Sequence, residues 1–98
     1  MNAVSLTGTI AAMEPLRHTP AGIPLLAFRL AHTSQQVEAG VQRQVECEVS
    51  CVALAQAATE LARVRAGSEL KVNGFLNRKN RMSAQLVLHA TSTEIVRT

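Results

Sequence analysis

Two carboxylates, two thiols, three imidazoles and a run of basic residues are the groups in this 98-residue chain whose types and spacing could do chemistry. Glu46 and Glu48 lie two apart in VECEVSCV, a segment that reads as a strand. On a strand they share one face, separated by about 6.6–7 Å. That spacing touches the range of a glycosidase acid and base pair. The chain has no Asp, however, and its only aromatic residues are Phe28 and Phe75, too few for a sugar platform. It also carries no nucleophile motif and no phosphate-cradling glycine loop. A solvated strand face accounts for both glutamates, and an enzyme is not expected. Cys47 and Cys51 share the opposite face of the same strand with Val45 and Val49. Their separation along a straight strand is about 13 Å, beyond the ~7 Å Cα limit for a disulfide. A shared zinc site fails for the same reason, and His18, His32 and His89 show no paired ligand spacing beside them. Buried free thiols are the expectation, with no metal and no cofactor, and they suit a reducing cytoplasm.

Positive charge is what remains. Asn77-Arg78-Lys79-Asn80-Arg81 contains no apolar residue and holds three of the chain's ten Lys and Arg. Its two Asn tolerate turn backbone conformations. Such a stretch is a solvated turn, a contact for a polyanion, or both. The net charge of +3 and a pI near 9.5 lean toward an anionic partner.

These groups must be held by elements that the apolar pattern outlines. Leu70, Val72, Gly74 and Leu76 alternate with Glu69, Lys71, Asn73 and Phe75, and Leu86, Leu88 and Ala90 repeat the period on the return. The stretch from Gly67 to Ala90 therefore reads as a β-hairpin with a basic tip. Near the start, Val4, Leu6, Gly8, Ile10 and Ala12 give a first strand, with Gly8 marking a bulge or sharp bend. Residues 13–24 hold all three prolines and Gly22 and read as a loop that carries Arg17 and His18. Leu26, Phe28 and Leu30 face one way in a second strand over 25–32, leaving Arg29 as its charged outward position. Residues 33–42 are polar and read as the connection of a longer hairpin into a third strand over 43–50. The Ala-rich stretch 51–65 places Leu54, Ala58, Leu61 and Val64 at helical spacing, an amphipathic helix of about three turns stopped by Gly67. No internal repeat and no apolar run near the ~20 residues of a membrane span is present, and the N-terminus lacks the pattern of a signal peptide. A soluble intracellular protein is expected.

The order strand, strand, strand, helix, strand, strand is that of an OB-fold. We therefore expect an all-β protein: a five-stranded OB-fold barrel with one short helix between strands 3 and 4, forming a single domain over 1–98. The helix plugs one end of a core that short aliphatic strands cannot otherwise seal. The blocks LTGTI, PLR followed by GIP, FRLAH, AGVQRQVEC, VNGFL and LVLHA occur in order along nearly the whole chain. Together they resemble the bacterial primosomal replication protein N (PriB) family.

The resemblance implies a homodimer related to single-stranded DNA-binding proteins. It implies binding of single-stranded DNA and, with the restart helicase PriA and other primosomal proteins, assembly at stalled forks. Carried over by position, Arg17 and His18 match the basic end of the family's first loop, Arg43 its His-Arg-Gln step, and Arg78, Lys79 and Arg81 its lysine-bearing loop between the last two strands. With Arg29 these are the expected phosphate contacts. Val41 and Glu46 stand where the family pattern can place aromatic rings, and Thr33 and Gln85 where basic residues can occur. Stacking is worth ~1–3 kcal/mol per base, so electrostatic rather than stacked binding is expected. An OB-fold adaptor whose main ligand is another protein would use the same basic tip.

Overall fold

The computed structural model describes residues 1–98. Its strands are β1 (Val4–Met13), the two-residue β2 (Arg17–His18), β3 (Pro24–Glu38), β4 (Val41–Leu54), β5 (Glu69–Arg78) and β6 (Leu86–Arg97), with one helix, α1 (Gln56–Leu61), between β4 and β5. The sheet runs β1-β5-β6-β4-β3-β2, and an additional β1–β3 pairing closes five of these strands into a ring. This is the five-stranded OB-fold barrel. Its one parallel seam joins β4 and β6 through Cys51↔Leu88, Val52↔His89 and Ala53↔Ala90.

Closure depends on β1 serving two neighbours. Val4 to Thr9 pair with β5, and Thr9 to Met13 pair with β3. The strand must bend at the handover, and there Gly8 lies so near β3 that a Cβ would come 2.5 Å from the Ala31 carbonyl oxygen and 2.9 Å from Leu30 Cγ. Gly8 supplies the close approach, while the register shift falls between Ile10 and Ala12. The expected bend is thus at the glycine, and the bulge lies just beyond it. Inward-facing alternate residues of the ring, among them Ile10, Leu26, Phe28, Leu30, Leu70, Val72 and Leu88, meet Ala58 and Leu61 in one buried cluster.

The span 13–24, read as a loop, holds the short strand β2, and β6 runs past Ala90 to Arg97, but two differences from the sequence reading are larger. The helix covers only Gln56–Leu61, because Cys51 to Leu54 continue β4 in ladder with Phe28 to Leu25. Apolar residues at 51, 54, 58 and 61 fit a helix, but the same stretch can pair on both sides in the barrel wall, and ladder hydrogen bonds prevail. Ala55, at φ 57°, ends the strand, and under two turns of helix suffice to bury Ala58 and Leu61. Gly67, at φ 93°, does not stop the helix. It donates its amide to the Ile10 carbonyl at 2.9 Å and turns the chain into β5.

The second difference is the polar connection over 33–42, which is strand rather than loop. The β3–β4 ladder runs unbroken from Leu25↔Leu54 to Glu38↔Val41. It turns through Ala39 and Gly40, both at positive φ (53° and 75°), as a two-residue type I′ hairpin requires. Outside the barrel no second layer packs on this ribbon, so both its faces are mostly polar and the alternation that marks a half-buried strand is missing.

Candidate nucleic-acid interface

An open groove of about 790 Å³ lies across the barrel wall, lined by the end of β1, by β2, by β3 from Leu25 to Arg29, by β4 from Ser50 to Leu54, by the β5–β6 loop and by β6. Arg17, Arg29 and Lys79 reach it from three separate segments, with Glu14, Cys51 and His89 as the other titratable groups of its lining. Arg17 is placed by β2, whose pairing with Leu25 and Pro24 ties the proline-rich loop back onto β3. Thr19 and Gly22 make the turn of that small hairpin, with the Gly22 amide donating to the Thr19 carbonyl at 2.8 Å. Arg29 is the outward neighbour of the buried Phe28 and Leu30.

Lys79 opens the loop between β5 and β6. The basic tip is held by its own hydrogen bonds: the Lys79 amide donates to the Gln85 carbonyl at 2.8 Å, and the Asn80 side-chain oxygen accepts the Met82 amide at 3.0 Å. Asn77 accepts the Arg78 amide at 2.8 Å, and the Arg78 guanidinium donates to the Arg81 carbonyl at 3.3 Å. Both asparagines thus do the turn work that their type suggests. Arg78, Arg81 and His18 are not part of the groove lining. Arg43 lies on the ribbon beyond the barrel, in an ion pair with Glu38 at 2.9 Å.

The two glutamates are engaged separately. Glu48 pairs with Arg29 at 3.4 Å, with both side chains more than half exposed, and Glu46 accepts a hydrogen bond from Gln44 at 2.9 Å. An exposed pair of this kind is worth ~0–1 kcal/mol, so Arg29 can exchange its carboxylate for another anion. The thiols divide as well. Both are free, but only Cys51 is buried, its pKa pushed up to about 12 by desolvation, whereas Cys47 is exposed. The expectation of two buried thiols fails at Cys47 because β4 has already left the barrel core at that residue.

One feature of the groove went unread in the sequence. His89 on β6 is the ladder partner of Phe75 on β5, and their rings stack with centroids 4.9 Å apart and planes 7° from parallel. Phe75 and His89 each fall on an outward phase of their own strand, but only the register of the β5–β6 pair sets them side by side. His32 is different, with both ring nitrogens engaged by the Thr7 carbonyl at 2.6 Å and the Ser34 hydroxyl at 2.8 Å.

Comparison with known proteins agrees with this barrel. A family model described as "Another single-strand binding protein family" matches residues 2–92. The replication restart protein PriB of Nitrosomonas europaea is 43% identical over 95 residues, which cover 97% of this chain and 88% of that protein. Among solved structures, PriB from Ralstonia solanacearum superposes with a TM-score of 0.91 at 33% identity, covering 99% of each chain. The single-stranded DNA binding protein of Thermus aquaticus gives 0.80 at 24% identity, covering 99% of this chain and 50% of that one, a likeness of fold alone. Matched across nearly its whole length by a single-strand binding family model and by relatives of that name, the chain belongs to the replication restart protein PriB family.

Proposed function

We propose that the protein is a non-enzymatic accessory factor of replication restart that binds single-stranded DNA along the barrel groove. The observation that carries this reading is the convergence of Arg17, Arg29 and Lys79, from β2, β3 and the β5–β6 loop, on one groove of a barrel of this family. A phosphate chain needs cations along a track, and the fold gathers three that lie far apart in sequence. In this reading His18, Arg78 and Arg81 add phosphate contacts outside the groove lining, and Arg43 on the β3–β4 ribbon adds one for longer strands. Fluorescence anisotropy with labelled oligonucleotides over a salt series tests this. Three phosphate contacts give a log–log slope of about −2 on a short strand, with little preference among sequences. Salt-insensitive binding would refute the phosphate mechanism.

In the same reading the protein acts as a homodimer in the cytoplasm, as one OB-fold domain per chain, and recruits the restart helicase PriA and other primosomal proteins. Free Cys47 and Cys51 suit a reducing compartment. Light scattering should return about twice 10.5 kDa. A titration with PriA, with and without oligonucleotide, should give binding in both cases. A second reading, that the protein is chiefly a protein adaptor, draws support from the carboxylates that hold Arg29 and Arg43. It predicts PriA binding together with no DNA binding even at low salt.

A further inference from the structure

We propose that the Phe75–His89 ring pair is a base-stacking platform of this chain, with His89 presenting the ring that a nucleobase covers. The inference rests on the single-stranded DNA reading of the groove and adds to it a contact that is not electrostatic. Three observations carry it. His89 lines the same groove as Arg17, Arg29 and Lys79, so a base turned inward from a strand held by those cations meets its ring. The ring is already backed, because Phe75, itself 37% exposed, lies against it in near-parallel stacking at 4.9 Å. The pair is also held in place by the backbone. At Gly74 the β5 chain runs so close to the His89 carbonyl that any Cβ would collide with it, and the register shifts between Asn73 and Gly74 to set Phe75 opposite His89.

A backed ring is a better platform than a free one, since its side-chain entropy is already lost before the base arrives. The imidazole also differs from His32, whose nitrogens are both engaged within the chain, in having no intramolecular hydrogen bond to hold it edge-on. Stacking on Phe75 orients it instead, and leaves the nitrogens for a base edge. The chain thereby offers an aromatic surface on β5 and β6, although Val41 and Glu46 supply none on β4.

The test compares two labelled strands of equal length, oligo(dT) and one built of abasic residues, by fluorescence anisotropy. His89→Ala should weaken oligo(dT) binding by about 5- to 150-fold, the range of a single stacked base, and change abasic binding by less than about twofold. His89→Phe should restore most of the oligo(dT) affinity, because it keeps the ring and drops the imidazole. Lys79→Ala should weaken both strands alike and serves as the phosphate control. Equal losses on both strands for His89→Ala, or no loss on either, would overturn the platform and leave the phosphate track standing. No binding of either strand by the unsubstituted protein would remove the DNA reading and this inference with it. Circular dichroism of each variant, with His89→Phe as the volume-filling alternative, separates a folding defect from a lost contact.

Discussion

The strands β3 and β4 build two regions of opposite character. Within the barrel, Leu26, Phe28, Leu30, Cys51 and Ala53 are buried beneath the groove, and Arg29 and Ser50 stand on its surface. Beyond residue 33 the same two strands run into solvent as a ribbon with Gln35 opposite Gln44 and Gln36 opposite Arg43. Val37 and Val41 near its turn are 74% and 54% exposed. The ladder is continuous, so hydrogen bonding does not distinguish the regions. A second layer does. Where other strands and α1 close over one face, alternate residues become apolar and rigid and can aim a charge. Where nothing covers it, the residues stay exposed on both faces and Arg43, paired with Glu38, is aimed at no groove.

Thiol labelling tests this division most sharply, because β4 carries Cys51 in the barrel core and Cys47, opposite His32, exposed at the edge where the ribbon begins. Cys47 should react at the rate of a free thiol. Cys51, buried and with its pKa raised from 9.0 to about 12, should react only through opening of the barrel. For a domain of ordinary stability this is a difference of about a thousandfold or more. The same shift has a sign for stability. The unfolded thiol ionises first, so the contribution of burying Cys51 is complete below about pH 9 and is lost as pH rises toward 12, which alkaline denaturation should record as a Cys51-dependent decline. Equal labelling of both cysteines in the native protein would contradict the placement of β4.

Next in size is packing. Leu30→Ala should cost about 2–5 kcal/mol in chemical denaturation, since Leu30 is wholly buried, while Gln36→Ala on the ribbon should change stability by under about 0.5 kcal/mol. Charge comes third. Lys79→Ala should weaken single strands of every sequence and shallow the salt slope by about 0.7, the share of one phosphate. Arg43→Ala should leave short strands unaffected and weaken only those long enough to reach the ribbon. In the opposite direction, Glu48→Gln releases Arg29 and removes a carboxylate beside the groove, and should tighten binding by about two- to fivefold at low salt. The most local effect belongs to the ribbon's turn. Ala39 holds φ 53° without being glycine, so Ala39→Gly should stabilise the turn by about 0.5–1 kcal/mol. That gain should appear as slower amide exchange near residues 36–43 rather than as a higher melting temperature.

Much of the architecture is set by local pattern. Period-two alternation identifies β1, β5, the start of β6, the barrel half of β3 and β4 as far as Ser50, because each packs one face on the core and its apolar residues recur with the pleat. The basic turn and its asparagines are equally local, as are Pro24 at the start of β3 and the proline-bearing loop before it. Tertiary structure decided the rest. Whether Cys51 to Leu54 were helix or strand depended on partners on β3 and β6 that are distant in sequence, and residues 33–38 became strand only because 41–46 lay alongside. The candidate site shows the same division. The sequence names Arg17, Arg29 and Lys79 as basic residues in a loop, on a strand and at a tip, but closure of the barrel puts them on one groove and leaves Arg43 on the ribbon. The Phe75–His89 stack is the clearest case, since each ring is visible in its own strand and only the β5–β6 register, fixed by the close backbone approach at Gly74, makes them one surface. Side-chain period is a property of a segment, whereas register and closure are properties of pairs of segments and cannot be read from either alone.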